Sequence, residues 1–202
     1  MISSSERFAE LWKRSGGNHG SAVFEDLHAK YNEPHRHYHN LRHIEECLTE
    51  LDKVPLESQD RIVVELAIWF HDAIYETSRQ DNEEKSAKLF RFKSKGISEP
   101  VVERVAALIL NTRFHDSSPD DPIAAVFIDI DLAILGAAPM RFREYDDDIR
   151  SEYSWVPDIL YKMKRRKALR RFLDRDRIFT TPSFFERLES SARENLRRAV
   201  GD

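Results

Sequence analysis

Helical periodicity dominates the pattern of apolar and polar positions along this chain. In one stretch the apolar residues recur at intervals of three and four, at Leu41, Ile44, Leu48 and Leu51. This spacing predicts an amphipathic helix over about residues 39–53 with one buried face. Alternation with a period of two, bounded by turn residues, is hard to find anywhere in the sequence. The pattern therefore predicts an all-α protein.

Two further segments are apolar on nearly every face, as buried central helices are. They are residues 62–74, which carry His71 and Asp72 near their end, and residues 122–137, which carry Asp131 and one further aspartate. A carboxylate in an apolar environment is strongly disfavoured unless it is paired, hydrogen-bonded or bound to a metal ion. These polar residues on separate helices therefore predict one shared site.

The further aspartate, Asp129, is an alternative to Asp131. The two are separated by about 200° on a helix, so only one of them is expected to bind a given ion. A helical wheel places Asp131 about 80° from the centre of the apolar face and Asp129 about 120° away on the other side. Asp131 is therefore the better inward candidate, and Asp129 remains open.

The amino-acid composition limits the kinds of functional site that the chain can form. With 41% hydrophobic and 34% charged residues, the chain is typical of a soluble globular protein. A single cysteine, Cys47, excludes an internal disulfide and a cysteine-rich zinc module, so a metal ion would have to be bound by His, Asp and Glu. A formal net charge of −4 argues against nucleic acid as a partner. Because the sequence has neither a signal pattern nor a long apolar run, a cytoplasmic location without a membrane partner is expected.

Histidines are concentrated in residues 33–46, EPHRHYHNLRHIEE, which contain four of the eight in the chain. His39 and His43 are one turn apart on the predicted helix, and a neutral imidazole is a common metal ligand. His35 and His37 flank the preceding turn and are predicted to lie at the surface. The segment therefore predicts His43 as a ligand with His39 close by.

An ordered set of these residues resembles a known signature. His43, the adjacent pair His71 and Asp72, and a later aspartate in FIDIDLAILG resemble the H…HD…D pattern of the HD-superfamily metal-dependent phosphohydrolases. The 28 positions from His43 to His71 are usual for that family. The segments YHNLRH, WFHDAIYE, DNEEKSA, NTRFH and IRSEY also resemble blocks of a bacterial branch of predicted HD phosphohydrolases. The resemblance covers about residues 30–200.

The resemblance implies a compact all-α HD-domain bundle with a C-terminal helical extension and one metal site. The implied ligands are His43, His71, Asp72 and Asp131. Two imidazoles and two carboxylates suit a divalent ion among Mn, Fe, Co, Ni, Zn and Mg without selecting one. A metal-activated water would attack the phosphorus of a phosphate ester. The expected function is thus hydrolysis of a small phosphorylated compound, for instance a nucleotide, and the alternative is a metal- and nucleotide-binding sensor without turnover.

Several residues are candidates for the chemistry around the ion. Besides Asp72, the carboxylate of Glu83 is a catalytic candidate, because it could orient a ligand or move a proton; otherwise it is a solvated helix start. His39 could contact substrate phosphate, orient the first ion or complete a second metal site. His115 matches a block of the family and is a substrate-side candidate. Its own pair with Asp116 lies in a polar loop without an upstream histidine at the right distance, so it is not predicted to bind the metal.

Basic residues offer a further contact for phosphate. Residues 162–171 form a cationic helix face, and guanidinium groups suit bidentate recognition of phosphate. The family branch usually has Gly-Arg where this chain has Arg165 and Arg166, which makes Arg166 the matching arginine and a candidate for binding substrate. The alternatives are a solvated face, or a nucleic-acid-binding surface, against which the net negative charge counts.

No internal repeat or shift in composition marks a second domain. We therefore predict a single HD-type domain over residues 1–202, with N-terminal helices in 1–30, a metal-binding core in 31–140 and C-terminal helices in 141–202. The charged amphipathic helices near the C-terminus are compatible with a homodimer.

Overall fold

A computed structural model describes residues 3–113, 115 and 121–201. Within these ranges the chain forms ten α-helices, one short 3-10 helix and no β-strand, which confirms the predicted all-α class. The helices are α1 (Ser4–Arg14), α2 (Gly20–Tyr31), α3 (Leu41–Leu51), α4 (Ser58–Phe70), α5 (Asn82–Lys93), α6 (Glu99–Asn111), α7 (Pro122–Leu132), the 3-10 helix (Ala133–Gly136), α8 (Pro139–Glu152), α9 (Asp158–Leu173) and α10 (Pro182–Val200).

The chain divides into two compact units, Met1–Ile128 and Asp129–Asp202. The division falls inside helix α7, so the last turn of this uninterrupted helix is counted with the second unit. The domain organisation predicted over residues 1–202 stays a prediction.

Helix α4 forms the core of the first unit. Its residues 62–70 are all buried, and it packs against α1, α3, α5 and α6. Glu65 is the one charged residue in this run, and its carboxylate accepts a hydrogen bond from Arg7 Nε at 2.7 Å. The helix ends at Phe70, after which the His71 N–H donates to the carbonyl oxygen of Ala67 at 2.9 Å. The His-Asp pair therefore follows directly on a run of nine buried residues.

Helix α3 begins later than its apolar periodicity predicts. Asn40 is its N-cap: the backbone there is extended, and the side-chain oxygen accepts a hydrogen bond from the Arg42 N–H at 2.9 Å. His39 consequently lies before the helix, and the prediction that it shares a helix with His43 is wrong. His43 lies in the first turn of α3 and is buried.

In the second unit, α10 packs against α9 and the 3-10 helix. Asn195 of α10 donates from Nδ2 to the carbonyl oxygens of Leu135 and Ala137, both at 2.9 Å. At Gly136 an added Cβ would come within 2.7 Å of the Leu188 Cβ, so this close approach of α10 requires glycine.

Among the described residues, no helix is by itself long and apolar enough to cross a membrane. One bent pair, Pro122–Gly136 with Pro139–Glu152, meets the requirements of length and composition when its members are taken together.

Candidate metal site

Three side chains of the first unit bring polar atoms together just after α4. His43 Nε2 and His71 Nε2 are 3.1 Å apart. Asp72 Oδ2 lies 3.0 Å from His71 Nε2 and 3.6 Å from His43 Nε2. Two nitrogen ligands each about 2.1 Å from one ion lie about 3 Å apart when the angle at the ion is about 90°. The spacing of these atoms is compatible with ligands around one shared cation.

His71 is held in the form that a metal ligand requires. Its Nδ1 lies 2.9 Å from the carbonyl oxygen of Ile68. Because a carbonyl oxygen only accepts hydrogen bonds, Nδ1 carries the proton and donates it. When the ring is neutral, the lone pair therefore resides on Nε2, the nitrogen that faces His43 and Asp72.

His43 is oriented by its packing. Its side chain is 2% exposed, the Tyr38 ring lies 4.8 Å from its ring, and the Cys47 Sγ, one turn further along α3, lies 3.7 Å from its Nδ1. These neighbours enclose the ring, and its Nε2 faces His71 Nε2.

Asp131 lies in the last turn of α7, and α7 passes beside His71. The ring of Phe127, one turn earlier on α7, meets the His71 ring edge-on at 6.0 Å. Residues four apart share a face of a helix, so Asp131 follows Phe127 on the face that meets His71. One ligand atom from each of His43, His71 and Asp131 lies within 4.8 Å of the other two. These residues form a His-His-Asp group that could hold a metal ion.

Asp129 has a different environment. It is fully buried, and its carboxylate accepts hydrogen bonds from the N–H of Thr180 at 2.9 Å and from the N–H and hydroxyl of Thr181, both at 2.7 Å. Thr181 is the N-cap of α10. Burial raises the pKa of Asp129 more than these hydrogen bonds lower it. Asp129 thus anchors the start of α10.

The charge of Asp72 is stabilised by the histidines around it. Burial by itself raises the pKa of this carboxyl, but its interactions with His71 and His39 lower it further than burial raises it, so the pKa of Asp72 lies below its ordinary range. The ionised form, which binds cations and accepts hydrogen bonds, is therefore the one present at neutral pH.

The other histidines of residues 33–46 lie around this group. The His39 ring stacks on the Tyr75 ring at 3.9 Å and is 6.0 Å from the His43 ring. His35 Nε2 lies 3.0 Å from the Tyr75 carbonyl oxygen. His37 is exposed, as predicted, whereas His35 is half-buried. His39 is thus beside the site, and His35 ties its segment to the chain that follows the His-Asp pair.

The remaining candidates are placed as follows. Glu83 is half-buried in the first turn of α5, and its side chain makes no hydrogen bond or ion pair to another described residue. His115 adopts a left-handed conformation (φ 45°), and its N–H donates to the Thr112 carbonyl oxygen at 3.2 Å. Asp116 lies outside the described residues. Arg166 is exposed on α9, in the second unit. Their roles towards a substrate stay predictions.

Two neighbours of the group were not predicted from the sequence. Arg36 is buried, and its guanidinium bonds to backbone carbonyls near the His-Asp pair; Tyr75 stacks on His39. Both contacts join positions about 36 residues apart. In the sequence near these residues, the only sign of such contacts is an arginine, Arg36, that lies among the histidines.

No protein family model, no curated protein and no solved structure matches this chain. The helical architecture and the His-His-Asp group are compatible with an HD-type fold.

Proposed function

We propose that the protein is a metal-dependent phosphohydrolase of the HD superfamily. The observation that supports this most is the convergence of two buried imidazole nitrogens and a carboxylate oxygen within 3.0–3.6 Å of one another. Imidazole nitrogens and carboxylate oxygens together are a donor set that suits a divalent transition-metal ion. The residues proposed to hold the ion are His43, His71, Asp72 and Asp131.

A bound divalent ion supplies a Lewis acid, which lowers the pKa of water and polarises a phosphoryl oxygen. The chain supplies the groups that orient the reactants and move the proton. The ionised carboxylate of Asp72 can accept a hydrogen bond from water beside the histidines. Glu83, whose side chain is uncommitted among the described residues, is the second candidate for proton transfer.

The substrate is proposed to be a small phosphorylated compound, for instance a nucleotide. His39 is half-buried next to the group, so its ring can hydrogen-bond a phosphate oxygen while Tyr75 supports it from behind. His115 and Arg166 are proposed as further contacts for the substrate. The guanidinium of Arg166 can bind phosphate through two parallel hydrogen bonds.

The proposal is tested by hydrolysis assays on metal-free protein reconstituted with Mn²⁺, Co²⁺, Ni²⁺ or Zn²⁺. An aryl phosphate and a panel of nucleotides serve as substrates, and His71→Ala/Asp72→Ala is compared with the wild type. We expect release of phosphate that requires the metal and is lost in the double variant. His37→Ala, an exposed histidine of the same segment, is the control and retains activity.

Two results would contradict the proposal. Equal metal content in the wild type and the double variant would place the ion elsewhere. Metal and nucleotide bound at His43 and His71 without turnover of any substrate would indicate a sensor rather than an enzyme.

A further inference from the structure

The side chain of Arg36 joins the histidine-rich segment to the His-Asp pair. Its Nη1 donates to the Asp72 carbonyl oxygen at 2.6 Å and to the His39 carbonyl oxygen at 3.2 Å, and its Nη2 donates to the Ala73 carbonyl oxygen at 3.2 Å. Its Nε donates to Glu33 Oε2 at 2.9 Å. Four of the five N–H groups of a guanidinium are thereby used within the protein.

Arg36 is too enclosed to bind a substrate itself. Its side chain is 1% exposed, and the rings of Tyr31 and Tyr75 lie 5.3 and 5.7 Å from the guanidinium carbon. A buried charge is costly unless it is paired and hydrogen-bonded. The arrangement around Arg36 meets that condition through Glu33 and the three carbonyl groups, so the guanidinium is held in one place.

The carbonyl groups that Arg36 binds belong to residues at the site. His39 comes directly before Asn40, the N-cap of α3, and so leads into the turn that carries His43. Residues 71–75 follow α4 without regular helix, so their carbonyl groups need partners outside a helix. A single side chain that binds both segments fixes their separation.

We infer that Arg36 is a positioning residue of the metal site, an inference that rests on the proposed function. It acts on the ligands through the backbone: by holding the carbonyl group of Asp72 it fixes the carboxylate of the same residue against His43 and His71. Hydrogen-bonding partners of ligand residues typically change metal affinity by roughly 10- to 100-fold when removed.

A matched control separates this role from general stability. Arg7, in the same unit, also makes several charged hydrogen bonds, with Nε to Glu65 at 2.7 Å and Nη1 and Nη2 to Asp52 at 2.8 and 2.9 Å. Its partners are not among the proposed ligands. Arg7→Met therefore removes a comparable set of bonds without touching the backbone of the metal site.

The experiment is a titration of metal-free protein with Co²⁺, followed by visible absorption, which reports both affinity and coordination geometry. For Arg36→Met we expect affinity weaker by roughly 10- to 100-fold and a changed spectrum. For Arg36→Lys we expect an intermediate loss, because an ammonium group replaces some of the four bonds. Arg7→Met keeps wild-type affinity and spectrum. Circular dichroism establishes that each variant is folded at the titration temperature.

If Arg36→Met does not fold, Arg36→Lys and Glu33→Gln carry the test. Wild-type affinity and spectrum in the Arg36 variants would overturn the inference, and so would an equal loss in Arg7→Met. A wild-type protein that takes up no cobalt would instead contradict the metal site itself, which distinguishes failure of the proposed function from failure of this inference.

Discussion

At the scale of single residues, Asp129 and Asp131 take different roles although they are close in sequence. Asp129 accepts three hydrogen bonds from Thr180 and Thr181 at the start of α10. Asp131 is half-buried and belongs to the group with His43 and His71. Two positions on a helix correspond to a rotation of about 200°, so the two carboxylates point to nearly opposite sides of α7.

This difference predicts opposite effects of the same substitution. Asp131→Asn should weaken metal binding at least ~10-fold with little change in the free energy of unfolding, because it removes a ligand charge from a half-buried position. Asp129→Asn should leave metal affinity unchanged and lower the free energy of unfolding by about 2 kcal/mol, because its amide places a donor against the donors of α10. Metal titration measures the change in affinity, and urea unfolding measures the change in stability. If Asp129→Asn lost metal affinity and Asp131→Asn lost stability instead, the roles given to both aspartates would be wrong.

The sequence gives only part of this picture. The choice of Asp131 over Asp129 followed from a helical wheel and a motif, both of which are local. The partners of Asp129 lie about 50 positions away along the chain, and the two carbonyl groups after α4 that Arg36 binds lie about 36 positions from it. Contacts over such distances depend on tertiary packing, so no pattern near either residue could reveal them.

At the scale of elements, the start of α3 sets the direction of His43. Asn40 caps this helix through Arg42 N–H at 2.9 Å and also donates to the His37 carbonyl oxygen at 2.6 Å. The helix therefore begins just before a ligand residue. Asn is among the residues that favour the N-cap position, so the boundary could have been read from the sequence; the apolar periodicity alone extended the helix too far.

Removal of this cap should affect both folding and the site. For Asn40→Ala we expect a loss of about 1 kcal/mol in the free energy of unfolding. We also expect weaker metal binding, because the first turn of α3, which carries His43, frays. Asn40→Asp keeps an acceptor at the cap and is the control. If Asn40→Asp lost as much stability as Asn40→Ala, the cause would be the bond from Asn40 Nδ2 to the His37 carbonyl oxygen, which both variants lack, and not the cap.

At the scale of the whole molecule, ion pairs attach the first helix to its unit. Arg7 of α1 bonds to Asp52, just after α3, and to Glu65 of α4. Burial raises the pKa of Asp52, but the hydrogen bonds and charges of Arg7 and Arg61 lower it more, so it lies below its ordinary value of 3.8. A lowered carboxyl pKa stabilises the fold above the ordinary value, and this stabilisation is lost as the pH falls through the folded-state pKa.

The lowered pKa of Asp52 predicts how the stability of Arg7→Met depends on pH. At pH 7 the variant should be less stable than the wild type by roughly 2 kcal/mol, mostly because Glu65 is left buried without its partner. The ion pair with Asp52 contributes little to this difference in stability, since the Asp52 side chain is 49% exposed. Urea unfolding should show that the difference in the free energy of unfolding between the wild type and Arg7→Met becomes smaller as the pH is lowered from 5 to 3. A difference that becomes larger on acidification would contradict the direction of the pKa shift.

Metal binding should also stabilise the first unit. An ion that binds only the folded state adds about 2.7 kcal/mol when its concentration is 100 times its dissociation constant. We expect a rise in melting temperature on addition of Co²⁺ or Mn²⁺ and its reversal by a chelator. His43→Ala should abolish the shift, and an equal shift in that variant would show that the ion binds elsewhere.

The all-α class could be predicted from periodicity because almost every apolar run has helical spacing. The core position of α4 could also be predicted, since its residues 62–70 are nearly all apolar. The division into two units could not be predicted from the sequence, because it falls inside α7, where the amino-acid composition does not change.

The position of a bound metal ion is the most direct test of the proposed metal site. Crystals of protein loaded with Co²⁺ or Mn²⁺ would be measured near the absorption edge of the metal, and an anomalous difference map calculated. We expect one strong peak about 2.0–2.2 Å from the ligand atoms of His43, His71, Asp72 and Asp131. If the protein binds stoichiometric metal but the anomalous peak lies elsewhere, or if no peak lies at these four residues, the proposed metal site is wrong.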